Sequence, residues 1–127
     1  MKLGGLVLHT QYFEDYLSFL TEVLELELTE LTDVSMKLSL SGSYLEIKKI
    51  PSAPSEQSTT VVFELNDDDY EDLISKLSFF FYRRGPSRFL LLQNSSYHCE
   101  LSDPDGRVWR FETPLHLQQS LSYQAQV

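Results

Sequence analysis

The sequence predicts an α+β chain made of two copies of one plan: a strand, a helix and three further strands. Three observations predict it. The apolar spacing passes from a period of two to a helical period and back, and does so twice. A stretch rich in proline and serine, Pro51 to Ser58, separates the two runs. The second run begins roughly 55 residues after the first and repeats its order of elements, the mark of an internal duplication. The halves nevertheless differ letter by letter.

Leu3 to Thr10 is short and apolar and reads as the opening strand. Phe13, Tyr16, Leu17, Leu20, Val23 and Leu24 then recur at steps of three and four, which makes an amphipathic helix. Glu14 and Asp15 fall in its first turn, where acids suit the helix dipole. Glu27 to Leu31, Ser35 to Leu40 and Tyr44 to Ile50 follow as strands, each with one apolar and one polar face.

After the linker, Thr59 to Leu65 reads as a strand and Asn66 as the cap of a second helix. Asp67, Asp68 and Asp69 sit at the positive end of that helix, so helix initiation explains the acid run better than metal binding does. Tyr70, Leu73, Ile74, Leu77, Phe80 and Phe81 form its apolar stripe. Phe79-Phe80-Phe81-Tyr82 is a continuous aromatic run, and a helix cannot turn four consecutive residues to one core. Either some of that surface meets the tail or a partner, or the helix ends early and Tyr82 enters a loop. Arg88 to Gln93, Tyr97 to Ser102 and Arg107 to Glu112 read as strands, with the turn Asp103-Pro104-Asp105-Gly106 before the last. Module one thus covers 1–50, the linker 51–58, module two 59–113 and a tail 114–127, in a single domain. The tail is rich in Gln and Ser and reads as a fraying segment or a short docking helix.

Composition narrows the function. Nineteen acids against ten Lys and Arg give a net charge of −9 in 127 residues, which opposes nucleic-acid binding and favours cationic ligands. Arg83, Arg84 and Arg88 are too few to reverse that. No apolar run approaches the length of a membrane span, and the amino-terminal apolar stretch is too short for a secretory signal, so a cytosolic protein is expected. The single cysteine, Cys99, excludes an internal disulfide and a multi-cysteine metal site, and its place in a strand suggests a buried, inert thiol. No G-x-S-x-G elbow, P-loop or dinucleotide fingerprint is present.

Two such modules, a helix directly after the first strand, and the run Ser102-Asp103-Pro104-Asp105-Gly106-Arg107-Val108-Trp109-Arg110-Phe111 resemble the vicinal oxygen chelate superfamily. That superfamily includes glyoxalase I, bleomycin-resistance proteins, fosfomycin-resistance enzymes and extradiol dioxygenases. The resemblance spans about residues 1 to 113. It implies a mixed sheet curled around a cup, with helices on the outer face and a ligand on the concave one. The period of two then decides which residues face the cup. They are Gly5, Val7 and His9; Tyr44, Glu46 and Lys48; Thr60, Val62 and Glu64; and Val108, Arg110 and Glu112. His98 shares a strand face with Glu100, so His98, Glu100 and Arg110 can gather as a polar cluster.

Enzymes of the superfamily hold a divalent metal through His, Glu or Gln on the first and last strands of each module. The DPDG turn and the helices align those positions with Gly5, Glu46, Thr60 and Arg110. Of these, Glu46 alone is a good ligand. Arg110 is worse than neutral, because a guanidinium stays charged and repels a cation. The resemblance therefore points to a metal-free sink for a small molecule, of the bleomycin-resistance kind, with no cofactor and with Glu46 and Arg110 paired across the cup. His9, Tyr44, Glu46, Lys48, Glu64, His98, Glu100, Arg110 and Glu112 are its candidate ligand-binding residues, with Tyr97 as a stacking partner if its ring turns inward. The alternative is a metal-dependent lyase or oxygenase with a displaced His9/Glu46/Glu64/Glu112 site, for which Glu46 is the best catalytic candidate. The resemblance also implies a homodimer.

Overall fold

The computed structural model describes residues 1–54, 58–84 and 88–114. The chain divides into two compact units, Met1–Gln57 and Ser58–Val127. The tail beyond Pro114 lies outside the described residues, and so does the expectation of a fraying or helical tail.

In the first unit β1 (Gly5–Thr10) leads into α1 (Phe13–Ser18), and β2 (Glu27–Leu31), β3 (Ser35–Leu40) and β4 (Ser43–Lys49) follow. The sheet order is β1-β4-β3-β2; β1 runs parallel to β4, and the other neighbours are antiparallel. Burial alternates along β1, β3 and β4, whereas β2, expected to have one apolar and one polar face, is exposed throughout as the edge strand. Leu8, Met36, Leu38, Leu45 and Ile47 are buried on one face, and so are Phe13, Tyr16, Phe19, Leu20 and Val23 of the helical segment. Each such side chain contributes about 1.5–3 kcal/mol by leaving water.

One expectation needs correcting. The stripe from Phe13 to Leu24 suggests a single α-helix, yet the chain passes into a π-helical turn at Phe19–Val23. Leu24 N–H donates to the Phe19 carbonyl at 3.2 Å, and Leu26 N–H to Leu20 at 3.1 Å. The wider turn brings Phe19 and Leu20, adjacent in sequence, into the core together. Glu25 then takes a positive φ of 52° and ends the helix.

The second unit repeats the arrangement with β5 (Thr60–Glu64), α2 (Asp67–Arg84), β6 (Leu90–Asn94), β7 (His98–Ser102) and β8 (Val108–Glu112), in the order β5-β8-β7-β6. Asn66 caps α2: its side-chain oxygen accepts the Asp69 N–H at 2.8 Å. Phe63 stacks on Trp109 and Phe111, with ring centroids 5.8 and 5.4 Å away. α2 runs through to Arg84, so Tyr82 belongs to the helix and not to a loop. Phe80 is buried while Phe79 and Tyr82 are 62 % and 88 % exposed, as helical geometry dictates for neighbours in a run.

The DPDG segment is a buried polar knot. Asp103 Oδ1 accepts the backbone N–H groups of Asp105 and Arg107, both at 2.9 Å. Asp103 Oδ2 accepts Trp109 Nε1–H at 2.9 Å and Arg107 Nη1–H at 3.4 Å. Gly106 supplies the positive φ, 91°, that closes the turn. Arg107 is drawn wholly into this knot, which is why β8 starts at Val108 and not at Arg107.

Candidate functional site

The strand registers fix what each sheet presents on the face turned away from its helix, because directly paired residues point to the same side. In the first unit the rows across β1, β4, β3 and β2 are Gly5–Tyr44–Ser39–Glu27 and Val7–Glu46–Lys37–Glu30, followed by His9–Lys48–Ser35 over the first three strands. In the second they are Thr60–Val108–Ser102–Leu90 and Val62–Arg110–Glu100–Gln93, followed by Glu64–Glu112–His98. Both edge strands carry a bulge at the same place, between Leu28 and Glu30 and between Leu91 and Gln93. The two sheets therefore superpose row on row, and Gly5 is equivalent to Thr60 and Glu46 to Arg110.

Charged groups gather in the middle row of the second sheet. Arg110 Nε–H donates to Glu100 Oε1 at 3.0 Å, and His98 Nε2 lies 3.9 Å from the same oxygen. His98 Nδ1 is 3.3 Å from the Ser95 hydroxyl. Burial pushes the Glu100 carboxyl up. Hydrogen bonds from Gln93 and Arg110, with the charges of Arg110 and His98, outweigh it and hold the group below its ordinary 4.5. Glu100 therefore stays ionised and fixes the Arg110 fork, whose outer edge remains more than a third exposed. Beneath them, burial and the Glu100 charge push the Cys99 thiol up to about 11, so it is no nucleophile at neutral pH.

The first sheet is arranged differently. Tyr44 lies across β1: a Cβ built on Gly5 would fall 2.5 Å from its ring carbons. Lys37 Nζ sits 4.2 Å from the ring centroid, a cation–π contact. Glu46 is half-buried between Val7 and Lys37 in register.

The nine expected site residues thus fall into two groups. His9, Tyr44, Glu46 and Lys48 share the far face of the first sheet, and Glu64, His98, Glu100, Arg110 and Glu112 that of the second. The structure brings His98, Glu100 and Arg110 into contact. Arg110, expected opposite Glu46, has Glu100 of the next strand as its hydrogen-bonded acceptor. Tyr97 precedes β7, and its carbonyl accepts the Thr113 N–H at 3.0 Å. Two contributors escaped the sequence reading. Lys37 was legible as a polar position of an alternating strand. Gln93 was not, because Leu90-Leu91-Leu92-Gln93-Asn94 does not alternate and the bulge shifts its parity.

The positions to which the resemblance assigns a metal do not have the chemistry of a ligand set. Gly5 has no donor and is covered by the Tyr44 ring, Thr60 offers a neutral hydroxyl, and Arg110 brings a fixed positive charge. Among the described residues no three His, Cys, Asp or Glu side chains are grouped closely enough to hold a metal ion. Nor is any helix among them long and apolar enough to cross a membrane.

No protein-family model and no curated protein sequence matches the chain. Solved structures do. The fosfomycin resistance protein FosX from Mesorhizobium loti superposes with a TM-score of 0.70 at 11 % identity, over 93 % of this chain and 96 % of that one. A glyoxalase/dioxygenase from Nostoc punctiforme gives 0.70 at 12 %, over 88 % and 90 %. FosX from Listeria monocytogenes, complexed with Mn(II) and sulfate, gives 0.67 at 9 %, over 88 % and 89 %. At such identities the likeness is one of fold, and the fold is that of the vicinal oxygen chelate proteins, as the duplicated modules and the DPDG hairpin imply.

Proposed function

We propose that this chain is a metal-independent small-molecule-binding protein of the bleomycin-resistance kind, with its ligand held against the far faces of the sheets. The observation that carries the reading is Arg110. Where a metal enzyme of this fold needs a lone pair, this chain has a guanidinium anchored on Glu100 at 3.0 Å. A binding protein needs a shaped surface and a few fixed polar groups, and no reacting centre. Arg110, Glu100 and Tyr44 with Lys37 are such groups. The net charge of −9, with Glu46, Glu64 and Glu112 on the same faces, favours a cationic ligand. The reading includes a cytosolic homodimer, as the resemblance implies.

The alternative is a metal-dependent lyase or oxygenase. The Mn(II) named with the Listeria protein is the observation in its favour. Thermal shift and metal analysis separate the two. A ligand that binds only the native state at 100 times its Kd adds about 2.7 kcal/mol of stability. Bleomycin or a planar cationic dye is expected to raise the melting temperature by several degrees, and Mn(II) to leave it unmoved. Stoichiometric metal in the purified protein, lost in Glu46→Ala, would overturn the proposal.

A further inference from the structure

Tyr44 of β4 is seated on β1. It pairs in register with Gly5, and a Cβ built there would fall 2.5 Å from the ring, so the missing side chain is what gives the ring its place on the far face of the first sheet.

Lys37 of β3 uses that ring: its Nζ sits 4.2 Å from the ring centroid. Two acids have a closer claim on its charge. In register Lys37 stands between Glu46 on β4 and Glu30 on β2. Side chains paired in this way have Cβ atoms about 4.5–5.5 Å apart, well within reach of a lysine. Among the described residues Lys37 nevertheless makes no ion pair with either acid. Nor does any described Lys, Arg or His pair with Glu46, with Glu30, or with Glu27, which ends the row of Tyr44.

The face of Tyr44 thus holds an ammonium group among three carboxylates, and that ammonium belongs to the chain itself. We propose that Lys37 is the resting occupant of a cation subsite on Tyr44, and that the ligand enters by displacing it with a quaternary ammonium group. The inference rests on the reading of the chain as a metal-independent binder of a cationic small molecule, and names the chemistry of the cation.

Physical chemistry favours the exchange. A lysine ammonium is compact, strongly hydrated and carries three N–H donors, which a ring face satisfies poorly. A quaternary ammonium has no such donors to leave unsatisfied, and ring faces recognise it well. The displaced Lys37 finds acceptors at once, because Glu46 and Glu30 are its direct neighbours. An exposed cation–π contact is favoured about two- to fivefold over its absence. The ring is then open about a sixth to a third of the time, and the apparent affinity of a competing cation falls by that fraction.

Titration of the full chain with choline, followed by NMR at the Tyr44 ring, tests this. Lys37→Ala is expected to lower the choline Kd about three- to sixfold. Lys48→Ala removes an equal charge from the same face, four residues along β4 from the ring, and is expected to change the Kd less than about twofold. Tyr44→Leu is expected to raise the Kd at least about fivefold, and Tyr44→Phe to leave it within about twofold. The neutral isostere of choline, with a tert-butyl group in place of the trimethylammonium group, is expected to bind at least about fivefold more weakly. Weaker binding in Lys37→Ala, equal tightening in Lys48→Ala, or no shift of the ring signals in either the parent or Lys37→Ala would overturn the proposal. A planar cationic dye that raises the melting temperature of Tyr44→Leu as much as that of the parent would overturn it too, while leaving the binding reading in place. Stoichiometric metal in the parent would instead overturn that reading.

Discussion

The middle of the far face in the first sheet carries Glu46 on β4 beside Lys37 on β3; in the second sheet the same two positions carry Arg110 on β8 and Glu100 on β7. Acid and base have changed places on an identical register. The helix-side faces show no such freedom. Leu45 and Ile47 in one unit, Trp109 and Phe111 in the other, are all buried apolar side chains. Burial restricts the choice to apolar groups of fitting volume, whereas the far face requires only that charges find partners. The duplicated backbone therefore specifies a fold, and the far faces are where two copies of it acquired different chemistry.

The largest expected difference between the units lies in their last hairpins. The first unit turns from β3 to β4 through Ser41 and Gly42, with Leu40 and Ser43 paired. The second turns through a buried Asp103 that accepts four donors, two of them from the buried Arg107. Asp103→Ala removes all four bonds and takes a carboxylate from beside a desolvated guanidinium. Breaking a buried pair in this way costs about 3–5 kcal/mol. Urea unfolding should register that loss. Ser41→Ala, in the other hairpin, should change stability by no more than about 0.5 kcal/mol. Comparable losses in the two would mean that the Asp103 knot is not what holds the second hairpin.

Next comes the pair Gly5 and Thr60, equivalent by register but not by surroundings. Tyr44 occupies the space a side chain at Gly5 would need. Thr60 is exposed. Gly5→Thr should therefore cost about 1–3 kcal/mol through displacement of the ring, and Thr60→Gly about 1 kcal/mol or less through backbone entropy. In a Tyr44→Ala background the Gly5→Thr cost should fall below about 1 kcal/mol. Denaturation midpoints of the four variants measure this. A cost at Gly5 that persists without the ring would place the constraint in the backbone.

Much of this was legible in the sequence, for a physical reason. β3, β4, β5, β7 and β8 alternate because each buries one face, and alternation survives in single letters. The Asn66 cap and the DPDG turn are local chemistry and read equally well. The π-helical turn at Phe19–Val23 was hidden, because its apolar steps of three and four fit an α-helix and only the hydrogen-bond span distinguishes them. The burial of Arg107 was hidden too, since composition places an arginine in water and only the turn's geometry supplies its acceptors. Parity grouped His98 with Glu100 and Arg110, but Gln93 reaches Glu100 through a bulge that no period reveals.

The smallest difference concerns the two carboxylates of the middle rows. Glu100 holds Arg110 at 3.0 Å, but Arg110 is 39 % exposed, so solvent screens the pair and its worth is about 1 kcal/mol. Glu100→Gln should lose that amount at neutral pH, and Glu46→Gln should stay within about 0.5 kcal/mol of the parent. The sign with pH follows from the depressed Glu100 carboxyl. An acid whose folded pKa lies below its unfolded value stabilises the fold above the unfolded value and loses that contribution as pH falls through the folded one. The gap between parent and Glu100→Gln should thus be full at neutral pH and close progressively below pH 4.5, the ordinary value of the group. Stability curves of the parent and both variants from neutral to acid pH measure it. A gap that stays constant into acid would mean that Glu100 acts through packing and not through its charge, and the contrast between the two middle rows would then be one of shape.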